Sequence, residues 1–152
     1  LEFGGNDCDF DWKKISERPD DMHLPKTPLE EFESLYGRII DDISQAGSRP
    51  VLFSLPPLSA ERYFAWISKG LNAENILRWL GDVGHIYRWH EMYNNAVLKI
   101  AAAKNAMLID IREAFLKTRD YMNLLCEDGI HPNEAGHALI SDVIMKALPA
   151  LT

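Results

Sequence analysis

An α/β domain built on a parallel sheet is the fold class that this 152-residue sequence predicts. Two short apolar runs, Val51 to Leu55 and Met107 to Ile111, have the length and density of strands buried on both faces. Each run stands between stretches with the period of amphipathic helices, so strand and helix alternate and right-handed crossovers follow. Leu1 to Phe3 reads as the end of a further strand. About three strands are therefore visible, and the sheet is expected to be incomplete on its N-terminal side.

The elements follow in order. Gly4-Gly5-Asn6-Asp7 is a turn after the first strand. Cys8 to Pro25 has no clean period and many charges, which predicts a long loop with one helical turn near Trp12 to Ser16. A helix start comes next: Thr27 as N-cap, Pro28 at the first helical position and Glu30 completing a capping box. Leu29, Phe32, Tyr36, Ile39, Ile40 and Ile43 form one apolar face, and Gly47 ends the helix. After the Val51–Leu55 strand, Pro56-Pro57 stops the chain and Ser59 caps a helix to about Lys69, which Gly70 closes. A short helix runs from Ala73 to Leu80, and a long one from about Ile86 to Lys104 with Ile86, Trp89, Tyr93, Val97 and Ile100 on one side. Met107 to Ile111 is the next strand and Arg112 to Lys117 a helix. The last helix, opened by Asn133 and Glu134, runs to about Leu148 and buries Leu139, Ile140, Val143, Ile144 and Ala147.

Composition narrows the function. At 47% hydrophobic and 26% charged, residues 1–152 form one ordinary globular domain. A formal charge of −7 argues against nucleic acid or an anionic membrane as partner, since both ask for a basic surface. No apolar run has the length of a membrane span. Two cysteines are too few for a disulfide framework. They read as free thiols of a reducing compartment, which favours the cytoplasm. Cys8 follows the glycine turn and Cys126 precedes Asp128, so the two are expected near each other, with pairing left open.

The chemistry is concentrated beyond the carboxyl ends of the strands, where ligands bind in open parallel sheets. Asn6 lies after the first strand. Asp128 and His131 lie three residues apart in the loop before the last helix, with Gly129 for a sharp turn and Pro132 to stiffen it. A carboxylate beside an imidazole makes a general base, because the acid fixes the tautomer and stabilises the imidazolium. An amide N–H held by a glycine turn can donate to an oxygen that gains charge during acyl transfer. Each motif alone has a plainer reading: Asn6 as a turn residue, His131 as a helix cap.

The turn GGND at Gly4 to Asp7 and the motif DGIHP at Asp128 to Pro132, followed by NEAGH with His137, resemble the SGNH (GDSL-like) hydrolases. The resemblance runs through essentially the whole chain, in order. It implies a flavodoxin-like three-layer α/β/α sandwich. It also implies Asn6 as an oxyanion-hole donor, His131 as general base and Asp128 as its orienting acid. The family's nucleophilic serine sits in a Gly-Asp-Ser motif after its first strand, and a second oxyanion donor is a glycine after its second. Neither motif occurs here. An N-terminal segment of roughly 50–80 residues is therefore expected to be absent, the size of two strand–helix units. The chain alone is expected to lack a nucleophile and to be inactive, although Ser54 and Ser59 stand near the end of the second strand. The first strand would offer an open edge able to pair with a second copy.

The expected activity of the complete protein is ester hydrolysis without a cofactor, acting on a small-molecule ester with a short acyl group on a carbohydrate or small alcohol. Lysophospholipid and thioester substrates remain open. Gly4, His90, Glu91 and Arg112 are candidates for binding that substrate. His90 and Glu91 belong to the aromatic-rich cluster with His85, Tyr87, Trp89 and Tyr93, which more readily serves core packing. A structural ion pair is the plainer role for Arg112, a loop hydrogen bond for His23 and a structural place on the last helix for His137. A metal site among Asp7, Asp9, Asp11, His23, Asp128 and His131 lacks ligand spacing on any helix face. The rival readings are a non-catalytic domain of the same fold that binds carbohydrate or protein, and a metal-dependent hydrolase.

Overall fold

The computed structural model describes residues 1–147. Its elements are α1 (Trp12–Glu17), α2 (Leu29–Gln45), β1 (Val51–Phe53), α3 (Ala60–Ile67), α4 (Ala73–Leu80), α5 (Gly84–Ala103), β2 (Met107–Ile109), α6 (Ile111–Lys117) and α7 (Glu134–Ala147), with a 3-10 turn at Tyr121–Leu124 before α7. The predicted end of the last helix, Leu148, lies outside the described residues.

β1 and β2 are parallel, with Val51 opposite Met107 and Phe53 opposite Ile109. The sheet therefore has two regular strands among the described residues, one fewer than the sequence suggests. Leu1 still pairs in parallel with β1: its amino group donates to the Val51 carbonyl at 2.5 Å and Phe53 N–H donates to the Leu1 carbonyl at 2.9 Å. The ladder stops there because Gly4 takes φ +129° and turns the chain away. Both strands are also shorter than predicted. Leu55 N–H leaves the ladder and donates to the Asn94 side chain at 3.0 Å.

Strand alternation creates the layers. Leu52 and Leu108 face α2 and α5, where Phe32, Tyr36, Ile40, Tyr93, Val97 and Ile100 complete one core. Val51, Phe53, Met107 and Ile109 face the other way, onto Phe115 of α6 and Leu139, Ile140, Val143 and Ile144 of α7. Each large side chain that is fully buried, such as Leu52, Tyr93 or Phe115, contributes roughly 1.5–3 kcal/mol, whereas Leu139, Ile140, Val143, Ile144 and Ala147, expected to be buried by α7, are only half-buried. A third cluster from α1, α3 and α4, including Phe10, Ile15, Tyr63, Ile76 and Leu80, closes the end of the molecule beyond the strand C-termini.

Helix boundaries follow local signals in most places. Asn72 caps α4 by accepting from Asn75 N–H, and Gly81 ends it at φ +77°. Ser59 caps α3 and Asp110 caps α6. Thr27 does not cap α2. Its hydroxyl donates to Asp7 at 2.8 Å, and Pro28 occupies the cap position with no side-chain bond. The threonine thus ties α2 to the glycine turn. Ile39, expected on the apolar face of α2, is 37% exposed, because that face is centred on Phe32, Tyr36 and Ile40.

Candidate active site

The Asp128–His131 loop is a tight hairpin pinned at both ends. Leu125 and Pro132 form an antiparallel bridge, and Cys126 N–H donates to the His131 carbonyl at 2.8 Å. Gly129 sits between them at φ +77°, pressed against the first turn of α3. A Cβ there would lie 2.6 Å from Arg62 Cβ and 2.9 Å from the Ser59 carbonyl, so glycine is required twice over. Ser59 N–H donates to the Gly129 carbonyl at 2.8 Å and Arg62 to the Met122 carbonyl at 2.7 Å, which fixes the loop to α3.

Asp128 organises the turn. One carboxylate oxygen accepts from Ile130 N–H at 3.0 Å and His131 N–H at 3.1 Å, and the other meets His131 Nδ1 at 2.6 Å. Partial burial alone would raise the acid's pKa. The hydrogen bonds from the His131 ring and the two backbone N–H groups outweigh that and hold the carboxyl below its ordinary value. An ionised Asp128 keeps the proton of neutral His131 on Nδ1. Nε2 then carries the lone pair, on a side chain that is 69% exposed.

The glycine turn is equally constrained. Asp7 accepts from Gly4 N–H at 3.0 Å and from Thr27, while Cys8 N–H donates to the Gly4 carbonyl at 2.9 Å. A Cβ on Gly4 would come 2.9 Å from Leu55 Cδ1. Asn6 rides on this braced turn, exposed and with its amide bonded to no other described residue. Asn6 and His131 line one cleft of about 450 Å³, together with Gly4, His90 and His137. Its apolar walls include Phe10, Leu55 and Trp89.

A family model for the GDSL-like Lipase/Acylhydrolase family matches residues 1–139. The chain belongs to this family. Its fold is also similar to the crystal structure of the lipase/acylhydrolase from Enterococcus faecalis, with a TM-score of 0.64 at 16% sequence identity. That match covers 97% of this chain and 58% of the Enterococcus chain, so residues 1–152 span less than two thirds of that structure. No curated protein matches the chain. The matched family is one of lipases and acylhydrolases by its description.

The other candidates of this GDSL-like chain divide. Gly4 and His90 line the cleft, whereas Glu91 and Arg112 are turned into each other beside it, with Arg112 Nη2 2.5 Å from Glu91 Oε2. Arg112 is 4% exposed and also donates to the Leu55 carbonyl at 3.2 Å and the Tyr87 hydroxyl at 2.6 Å. Those bonds use the guanidinium to hold the chain after β1, and the pair with Glu91 is the structural role read as the plainer one for Arg112. Glu91 likewise accepts from Asn94 as well as Arg112.

Ser54 is fully buried and donates to Asp110 at 2.7 Å, while Ser59 caps α3. Neither hydroxyl is bonded to His131. Cys8 and Cys126 are both free. Burial, and then Asp9, push the Cys8 thiol up to about 12, so it stays protonated and is a poor nucleophile. Among the carboxylates considered for a metal, Asp9 accepts from Tyr63, Trp12 and Lys26, and Asp11 caps α1. His23 Nε2 lies 2.7 Å from the Arg18 carbonyl. Phe10 and Trp12 are cleft residues that sequence patterns did not mark, because 8–25 has no period, and His137, quoted with the NEAGH stretch and read as structural, also lines the cleft.

Proposed function

We propose that the complete protein is a serine-type carboxylic-ester hydrolase in which His131 is the general base, Asp128 orients it and Asn6 stabilises the oxyanion. The observation that carries this reading is the His131–Asp128 pair, 2.6 Å apart, on a loop that shares a cleft with Asn6. A serine hydroxyl attacks the ester carbonyl as Nε2 of His131 takes its proton. The carbonyl oxygen becomes an oxyanion, toward which the Asn6 amide donates. The imidazolium, stabilised by Asp128, returns the proton to the leaving alcohol, and water repeats the sequence to release the acid. The attacking serine belongs to a segment outside these 152 residues, which the commitments of Ser54 and Ser59 support. A short acyl group on a carbohydrate or other small alcohol is the substrate class.

Turnover of p-nitrophenyl acetate by the protein carrying its serine segment tests the mechanism. His131→Ala is expected to abolish it and Asn6→Ala to lower kcat by roughly 100–1,000-fold. Wild-type rates in His131→Ala would overturn the assignment. The rival is a non-catalytic binding domain of the same fold, whose support is that these 152 residues carry no Gly-Asp-Ser motif. A Gly-Asp-Ser motif encoded upstream of Leu1 would decide for the enzyme, and a natural protein without one would decide for the binding domain.

A further inference from the structure

The cleft contains a polar group that the proposed reaction does not use. His90 projects from α5 into its lining and is only 7% exposed. Nδ1 of this ring is shut off from solvent and has no hydrogen-bond partner among the described residues. The polar groups around it on α5 are all engaged. Trp89 donates its indole N–H to the Cys8 carbonyl at 3.0 Å, Glu91 pairs with Arg112, and Asn94 accepts from Leu55 N–H at 3.0 Å. Buried polar atoms nearly always have partners, and a leucine or phenylalanine would fill this place without leaving a nitrogen unpaired.

We propose that His90 is a specificity-determining residue of the cleft, where it hydrogen-bonds an uncharged hydroxyl on the alcohol portion of the ester. Nδ1 is closed to a hydroxyl as it is to water, so the ring meets the ligand through Nε2, which is a donor in one neutral tautomer and an acceptor in the other, and a hydroxyl can serve either. Burial, and then the Arg112 guanidinium, lower the ring's pKa to about 3, so it stays uncharged at neutral pH. An anionic substrate finds no counter-charge: among the described lining residues there is no lysine or arginine, while Glu2, Asp7 and Asp9 are present. Phe10 and Trp89 supply apolar walls for the carbon skeleton. The substrate class is therefore an ester of a neutral, hydroxyl-bearing alcohol. This assignment rests on the ester-hydrolase reading only for the name "substrate"; the binding preference can be measured without turnover.

The test uses the protein carrying its serine segment, with that serine replaced by alanine throughout to prevent turnover, and two probes of matched shape, trans-2-acetoxycyclohexanol and cyclohexyl acetate, titrated by NMR. Wild type is expected to bind the hydroxylated probe roughly five- to tenfold more tightly. His90→Phe is expected to lose that preference while keeping its affinity for cyclohexyl acetate within about twofold, and His90→Gln to retain part of the preference. Equal affinities in wild type, an undiminished preference in His90→Phe, or no binding of either probe would overturn the proposal. Should His90→Phe not fold, the ring nitrogens of 15N-histidine-labelled wild type give the answer. The His90 resonances must shift with the hydroxylated probe and not with cyclohexyl acetate, and any other pattern overturns it. Discrimination by His90, together with no hydrolysis of p-nitrophenyl acetate by the protein carrying its serine segment, would sink the esterase reading and leave this one standing.

Discussion

Gly129 and Asp128 show how much of the site depends on single positions. Gly129→Ala imposes a Cβ on a residue at φ +77° and drives it into the backbone of α3. Backbone strain of this kind costs about 1–3 kcal/mol, so thermal unfolding should show Tm lowered by roughly 4–10 °C. Asp128 ionises more readily in the folded chain than in the unfolded one, because three N–H groups are aimed at its carboxylate. Its contribution to stability is therefore present above the ordinary aspartate pKa of about 3.8 and is lost as pH falls through the lower folded value. Urea unfolding followed from pH 6 down to pH 2 should show a smaller acid loss in Asp128→Asn than in wild type. An equal loss would mean that the carboxylate is not the group responsible.

At the scale of elements, the Arg112–Glu91 pair joins α6 to α5 across the end of β1. Arg112→Met leaves Glu91 without its charge partner. Breaking a buried pair costs about 3–5 kcal/mol, and Glu91, one-third exposed, places this case at about 2–3 kcal/mol. The double variant Arg112→Met/Glu91→Met should recover part of that loss in urea titrations. Nothing in the sequence signals this pairing, since the partners are distant and neither lies in a local motif. The same holds for Thr27, whose position reads as a helix cap until the tertiary fold brings Asp7 to its hydroxyl. Where the signal is local, the sequence was readable: α4 spans Ala73–Leu80, the residues predicted for it, and Gly129 stands in the turn of the Asp128–His131 loop. The placement of Asn6 and His131 on one cleft was readable too, because strand ends in a parallel sheet share a rim. The walls of that cleft were not, because Phe10 and Trp12 lie in a stretch whose packing is set by α3 and α4 rather than by its own period.

The whole molecule has its two strands at the centre, with α2 and α5 on one face and α6 and α7 on the other. Leu52, Tyr93 and Val97 are fully buried where the first of those layers meets the sheet, whereas Met22 and Leu24 are 89% and 65% exposed on the segment before α2. Native-state hydrogen exchange should therefore be slowest at amides of β1 and the middle of α5, and fast around Met22. Rapid exchange at Val97 would contradict the packing described. The aromatic wall of the cleft has an optical consequence. Of the four tryptophans, Trp12, Trp79 and Trp89 each contact Phe10, while Trp66 stands apart on α3 with Lys69 above its ring. Trp12 and Trp89 also form part of the lining. A molecule entering the cleft displaces water from two indoles at once, so the protein's own emission spectrum becomes a gauge of occupancy, and Trp66→Phe removes background without removing the signal.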